Sequence, residues 1–152
     1  MSQSKKFAIL RIAFGLIWAV DAYFKWQPAF FANFVSYLTG NLDGQSEIVK
    51  QWIGIWVHLV GVNPGFFALV VALGETAIAI GLIFGLFTRI ALWGGIAMSI
   101  VIWATAEGFG GPYMSGSTDI GAAIIYALLC VALLIGRSWE ELSVDNLLSK
   151  KS

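Results

Sequence analysis

With 152 residues, 59% of them hydrophobic and 12% charged, the chain carries about half the charge of a typical soluble domain, and its mean hydropathy of +0.81 points to lipid as its main solvent. A formal net charge of zero excludes nucleic-acid binding by bulk electrostatics. One cysteine, Cys130, and one histidine, His58, exclude an intrachain disulfide and a thiolate cluster and leave no set for a protein-held haem, so redox chemistry here requires an organic cofactor or a partner chain.

The first apolar run, residues 7–26, is interrupted by Arg11, Asp21 and Lys25. It is expected to be an uncleaved span: Val20-Asp-Ala22 distantly resembles a signal-peptidase site, but Arg11 splits the apolar region a signal peptide needs. At 100° per residue Arg11, Gly15, Trp18, Ala22 and Lys25 share one stripe, with Asp21 roughly 80° from its centre.

Residues 27–62 are too many for a hairpin and too interrupted to span. Residues 28–38 read as a short aromatic helix ended by Gly40, and residues 46–60 as an amphipathic one. Its polar stripe is Glu47, Lys50, Gln51, Gly54 and His58, opposite Trp52, Ile55, Trp56 and Leu59. Such a segment is expected to lie at the outer interface, as an anchor or as a lid over a lipid-accessible site.

The second span, residues 64–87, starts at Asn63-Pro64, a cap followed by proline at the first helical position. Its one charge is Glu75, which shares a narrow face with Ala68, Ala72 and Ala79. A charge at the centre of a span costs roughly 2.5–3.5 kcal/mol even on lenient insertion scales, so this carboxyl is expected to face protein or water rather than lipid. By helical rise, Asp21 lies roughly 21 Å and Glu75 roughly 18 Å from the inner ends of their spans, nearly level with each other.

The third span covers residues 90–106. The connection at residues 107–117 is glycine-rich but lacks a GK[ST] ending, so it is read as a flexible closure beside the mouth of the bundle, with Glu107 a solvated loop charge. Ser117-Thr118-Asp119 is expected to cap the fourth span, residues 118–136, with apolar run 120–135. Ser138-Trp-Glu-Glu141 has the capping-box pattern of a short helix in a cytoplasmic tail at 137–152.

Lys5, Lys6, Arg11, Arg89, Arg137, Lys150 and Lys151 fall on one side of these spans and only Lys25 and Lys50 on the other, which places both termini in the cytoplasm. Small residues four apart (Gly15 and Ala19; Gly81 and Gly85; Ala91, Gly95 and Ser99) allow close helix packing. The expected fold is all-α: a single transmembrane domain, an antiparallel four-helix bundle with an extra amphipathic segment between its first two spans.

Glu75, Asp21 and Lys25 form the candidate site, with Lys25 able to pair with Asp21 at i+4. Two carboxyls and one ammonium in a low-dielectric pocket would share a proton, suiting a quinone-like headgroup or a proton relay. Trp18, Arg11 and His58 are the candidates for contacting a cofactor, although Arg11, roughly 6 Å from the inner end, can equally snorkel to headgroups. With no second histidine near His58 no metal site is expected. Glu75 as structural glue, protonated or hydrogen-bonded to the first span, is the competing reading.

Leu10-Arg11-Ile12 with Gly15, Lys25 after Ala22-Tyr-Phe, Glu75, Gly81, and Gly85-Leu-Phe-Thr88-Arg89 together resemble the DoxX/DoxD group of small four-span membrane proteins, with Ala22 standing where the group has glycine. The long outer segment and the glycine-rich stretch before Asp119-Ile-Gly121 are more similar to the DoxD branch, which is associated with thiosulfate:quinone oxidoreductase. The resemblance implies a prokaryotic inner-membrane location, a quinone as cofactor and a second protein subunit, or a homo-oligomer, as partner. It leaves three functions open: a quinone-linked redox subunit, possibly acting on sulfur compounds; a non-catalytic scaffold of a larger complex; and a small-solute or proton transporter. Four spans without inverted repeats argue against the last.

Overall fold

A computed structural model describes residues 1–150, and the end of the expected tail, including Lys151, lies outside the described residues. The chain is all-α. Helix α1 spans Gln3–Lys25, followed by two short helices, α2 (Pro28–Ala32) and α3 (Phe34–Thr39), where the sequence reads as one. They part at Asn33, whose φ of −113° leaves the helical region. The amphipathic α4 covers Glu47–Gly61, and the remaining long helices are α5 (Pro64–Phe84), α6 (Thr88–Ala104) and α7 (Ala122–Ile135). Helix α8, Val144–Ser149, ends the described chain.

Asn63 caps α5 as its sequence requires, its side chain accepting from the N–H of Phe66 at 3.1 Å. The fourth long helix starts later than Asp119. Gly121 is its N-cap residue and Asp119 Oδ1 accepts from the Gly121 N–H at 2.8 Å, a turn just ahead of the helix. Residues 138–143 form turns and bends rather than a capping-box helix, and Ser143 caps α8 instead.

The long helices pack in sequence, α1 on α5, α5 on α6 and α6 on α7, each antiparallel to the last. A Cβ on Gly15 would come within 2.8 Å of the Ile83 backbone nitrogen, on Gly81 within 2.6 Å of Ala91, and on Gly95 within 2.8 Å of Cys130 Sγ, so three small-residue positions are seams of backbone approach. Gly85 is different: it lies beyond the helix, as the left-handed C-cap of α5. Helix α7 returns to α1 mainly through large rings, Phe14 and Trp18 standing edge-on to Tyr126 at 5.2 and 5.6 Å. The inner core is Phe14, Trp18, Ile78, Leu82, Leu92, Cys130 and Leu133; a second, outer core joins Phe30, Phe34, Leu38, Ile53 and Val60 to Ala68.

Among the described residues α1 and α5 are long and apolar enough to cross a membrane by themselves, whereas α6 has 17 residues and α7 only 14. Helix α7 is roughly 21 Å long, short of a hydrocarbon core of roughly 30 Å, so at the outer end the fourth wall is not helix but connection. Exposed Val20, Leu73, Ile90, Trp93 and Leu128 lie around the bundle, the surface of a protein solvated by lipid.

The inner end is closed by the tail. Arg11, fully buried, donates from Nη2 to the Leu142 carbonyl at 2.6 Å, so it is covered by protein and does not snorkel to headgroups. The Asp145 carboxylate accepts from the N–H groups of Phe87 at 2.9 Å and Thr88 at 2.8 Å, capping α6 from another element. Asp145→Ala is expected to lower stability by about 1–2 kcal/mol, the cost of a lost cap, measured as a shifted unfolding midpoint in detergent.

Candidate functional site

Glu75 lies at the α1–α5 seam, 2% exposed, on the face it shares with buried Ala68, Ala72 and Ala79. Lys25 closes the last turn of α1 and crosses to α5, placing Nζ 3.4 Å from Glu75 Oε2. The partner of Lys25 is therefore Glu75 and not Asp21 one turn below. Antiparallel packing puts Lys25 opposite residue 75, where a direct ion pair relieves a buried carboxyl. At 3.4 Å the contact is longer than a charge-assisted hydrogen bond of about 2.8 Å, and Oε2 has no hydrogen-bond partner. Next to it Trp26 Nε1 donates to Thr76 Oγ1 at 3.0 Å, fastening the end of α1 to α5.

Glu75, Asp21, Lys25 and Trp18 all line one cavity of about 180 Å³, completed by Ser99 and Ile102 of α6, Glu107, and Ala122, Ala123 and Tyr126 of α7. Tyr126 thus lines the same cavity as the carboxyls of Asp21, Glu75 and Glu107. Two side chains in this wall hold buried polar atoms without a hydrogen-bond partner, Trp18 Nε1 and Ser99 Oγ, each on a residue 1% exposed, and Glu75 Oε2 has only its 3.4 Å contact with Lys25. Native proteins rarely leave buried polar atoms unpaired, and such atoms on the residues of one cavity mark a place that water or a ligand completes.

Sequence reading missed Ser99 as a site residue, since it counted only as a small packing residue, and missed Tyr126 altogether. Glu107 is no solvated loop charge. The chain after α6 folds back through a 3-10 turn at Gly108–Gly110, half-burying Glu107, whose carboxylate accepts from the Ala123 N–H at 3.1 and 3.2 Å. It supplies the carboxylate at the start of α7 that Asp119 was expected to supply. Gly121, at φ +93°, is where the chain passes Glu107 so closely that a Cβ would overlap its Oε2.

Two expected cofactor contacts lie elsewhere. Arg11 is roughly 21 Å along α1 from Lys25, at the inner end. His58 is exposed on the polar stripe of α4 and lines neither this cavity nor the next. The same helix does bear on the site through its other side. Trp52 Nε1 donates to the Ala104 carbonyl at 2.9 Å, while Trp56 and Val60 line a second cavity. This one measures about 640 Å³ and is walled by Phe24, Phe30, Phe34, Phe67, Met98 and their apolar neighbours. It shares Lys25 and Ile102 with the polar cavity. A small polar chamber thus adjoins a long apolar one across two side chains.

The DoxX family model matches residues 7–108, about two thirds of the chain. The protein belongs to the DoxX family. DoxX is a membrane-associated family, some of whose members are linked to quinone-related oxidoreductase subunits. The matched region holds Trp18, Asp21, Lys25, Glu75, Ser99 and Glu107, so nearly the whole polar wall lies in the DoxX segment; Tyr126 lies beyond it. No curated protein and no solved structure matches the chain.

Proposed function

We propose that this DoxX protein is the quinone-binding membrane subunit of a redox assembly, with the headgroup in the Glu75 cavity and the isoprenoid tail in the apolar cavity beyond Lys25 and Ile102. The adjoining polar and apolar cavities, which share Lys25 and Ile102 and of which the first is lined by the carboxyls and by the unpaired Trp18 and Ser99, carry this reading. A quinone ring presents carbonyl oxygens, which accept hydrogen bonds. The Lys25 ammonium, the Trp18 indole N–H and the Ser99 hydroxyl are donors facing the same void. A polyisoprenoid tail has no hydrogen-bonding groups and suits a chamber lined by aromatic and aliphatic side chains.

In this reading the chain's residues bind and orient the ring, exclude lipid from it, and hold a proton at the Glu75 carboxyl. The quinone supplies the electron-accepting chemistry when bound, and a second polypeptide supplies the electrons. The seven basic residues against two support a reading with both termini in the cytoplasm of a prokaryotic cell and the α6–α7 connection on the outer face of the inner membrane.

Gentle purification in detergent tests the assignment, with extraction and quantitation of bound quinones and identification of co-purifying chains. About one quinone per chain is expected, by simple site stoichiometry. A stoichiometric partner chain with no quinone, before and after incubation with added quinone, would instead establish a scaffold.

A further inference from the structure

Glu107 lines the buried cavity and also an outer cleft of about 500 Å³, shared with Asn41, Gly110, Asp119, Gly121 and Ala122. Asp119 and Asn41 there are exposed. Of the titratable groups in the buried cavity, Glu107 is the one that belongs to both spaces. We propose that protons pass between Glu75 and the outer aqueous face through Tyr126, Asp21 and Glu107, with Glu107 the group that exchanges them with water.

The groups facing Glu75 allow this and name the direction. Helix α1 brings Asp21 and Lys25, the α6–α7 connection brings Glu107 with Asp119 at the mouth, and α7 brings Tyr126; α6 contributes only the uncharged Ser99 and Ile102. Tyr126 lines the cavity together with the three carboxyls. At each hop one O–H bond breaks and one forms: the Glu75 acid yields its proton to Asp21, directly, through the Tyr126 hydroxyl or over water, and Glu107 passes it to the cleft. Nothing is oxidised or reduced. At roughly 30 Å³ per water the cavity has room for a short water chain.

Three observations independent of the acidic cluster point to solvent here. The unpaired Trp18 and Ser99 atoms require partners. The short α7 leaves irregular backbone at membrane depth, which is tolerated only where it is buried in protein or lines a water-filled space. On the lipid side the cavity meets a predominantly apolar chamber that holds no carboxylate, and at the inner end Phe14, Ile78, Leu82, Leu92 and Leu133 are packed beneath it.

The route is tested without quinone, so a failure of quinone binding leaves the result untouched. The full chain is placed in lipid nanodiscs and the Glu75 carboxyl band is followed by infrared spectroscopy after transfer to heavy water. The band is identified by its loss in Glu75→Gln, at the pH where it is half-maximal. Glu107→Gln keeps a carbonyl to accept the Ala123 N–H but cannot ionise. It is expected to slow deuteration of Glu75 by at least roughly 100-fold, the scale of a lost positioned proton-transfer group. Glu140→Gln, altering a carboxylate of the inner end that pairs with Arg137, leaves the rate unchanged. Wild-type protein held in either orientation in vesicles gives a readout that needs no variant, with a fast change of the Glu75 band when the pH is jumped at the outer face and a slow one when it is jumped at the inner face. An unchanged rate in Glu107→Gln, or equal responses to pH jumps at the two faces, overturns the proposal.

Discussion

Glu75→Gln is expected to weaken quinone binding by roughly 10- to 150-fold, the equivalent of about 1.5–3 kcal/mol for a hydrogen bond to a charged group. Glutamine has the shape of glutamate, so packing against Ala72 and Ala79 is kept and the effect is confined to charge and proton. The fold should tolerate the change. Lys25 is 25% exposed, and when released from Glu75 it has Asp21 one turn below it. Lys25→Met is the harsher substitution for stability, since it strands a 2% exposed carboxyl. Breaking a buried pair costs about 3–5 kcal/mol, which the partial exposure of Lys25 reduces to about 1–3 kcal/mol. Quinone titration by tryptophan quenching and the unfolding midpoint in detergent separate the two quantities. If Glu75→Gln binds quinone like the wild type, the carboxyl is structural glue and the quinone assignment fails.

Gly85→Ala should be strongly destabilising. Gly85 has φ +65° and ψ +42°, a left-handed conformation that costs an alanine about 1–2 kcal/mol. An added Cβ would also lie 2.7 Å from Ser143 Cα and would overlap Ser143 Cβ and Arg11 Nη1. The Ser143 backbone cannot yield freely, because the Gly85 carbonyl accepts from the Asp145 N–H at 3.0 Å and Asp145 in turn caps α6. Overpacking adds about 1–3 kcal/mol, for a total of about 2–5 kcal/mol. The loss should appear as a lowered denaturation midpoint together with easier proteolysis of the tail after residue 137. Gly54→Ala is the control. Gly54 lies mid-helix on the polar stripe of α4 with nothing within 4 Å, so alanine should be neutral or stabilising by about 0.4–1 kcal/mol. Equal tolerance at the two positions would mean that the tail is not docked against Arg11 and Gly85.

The docked tail also explains one charge that periodicity alone misplaces, Arg11, and gives a second, Arg89, its partner. An arginine one turn from the end of a span looks like a headgroup anchor, but Arg11 shares the stripe of Gly15 and Trp18, and that stripe faces α5 and the tail. Arg89, at the start of α6, lies over the Trp139 ring at 4.5 Å and so helps hold the tail in place.

Period and composition determined which helices exist and which side of each turns inward. The Arg11–Gly15–Trp18–Ala22 stripe, the Ala68–Ala72–Glu75–Ala79 face and the cap at Asn63 all follow from the sequence, since lipid rejects any other arrangement of buried polar groups. Glu75 itself was legible because nothing else in its span carries charge. What only the tertiary structure decided is which group answers which: Lys25 to Glu75, Arg11 to Leu142, Asp145 to the start of α6, and Glu107 to the start of α7. These partners are 50 to 131 residues apart in three cases and 16 in the last. Arg11 and Glu107 meet their partners through the connections at residues 136–143 and 105–121, whose backbones bond to near neighbours in turns and leave no periodic trace in the chain.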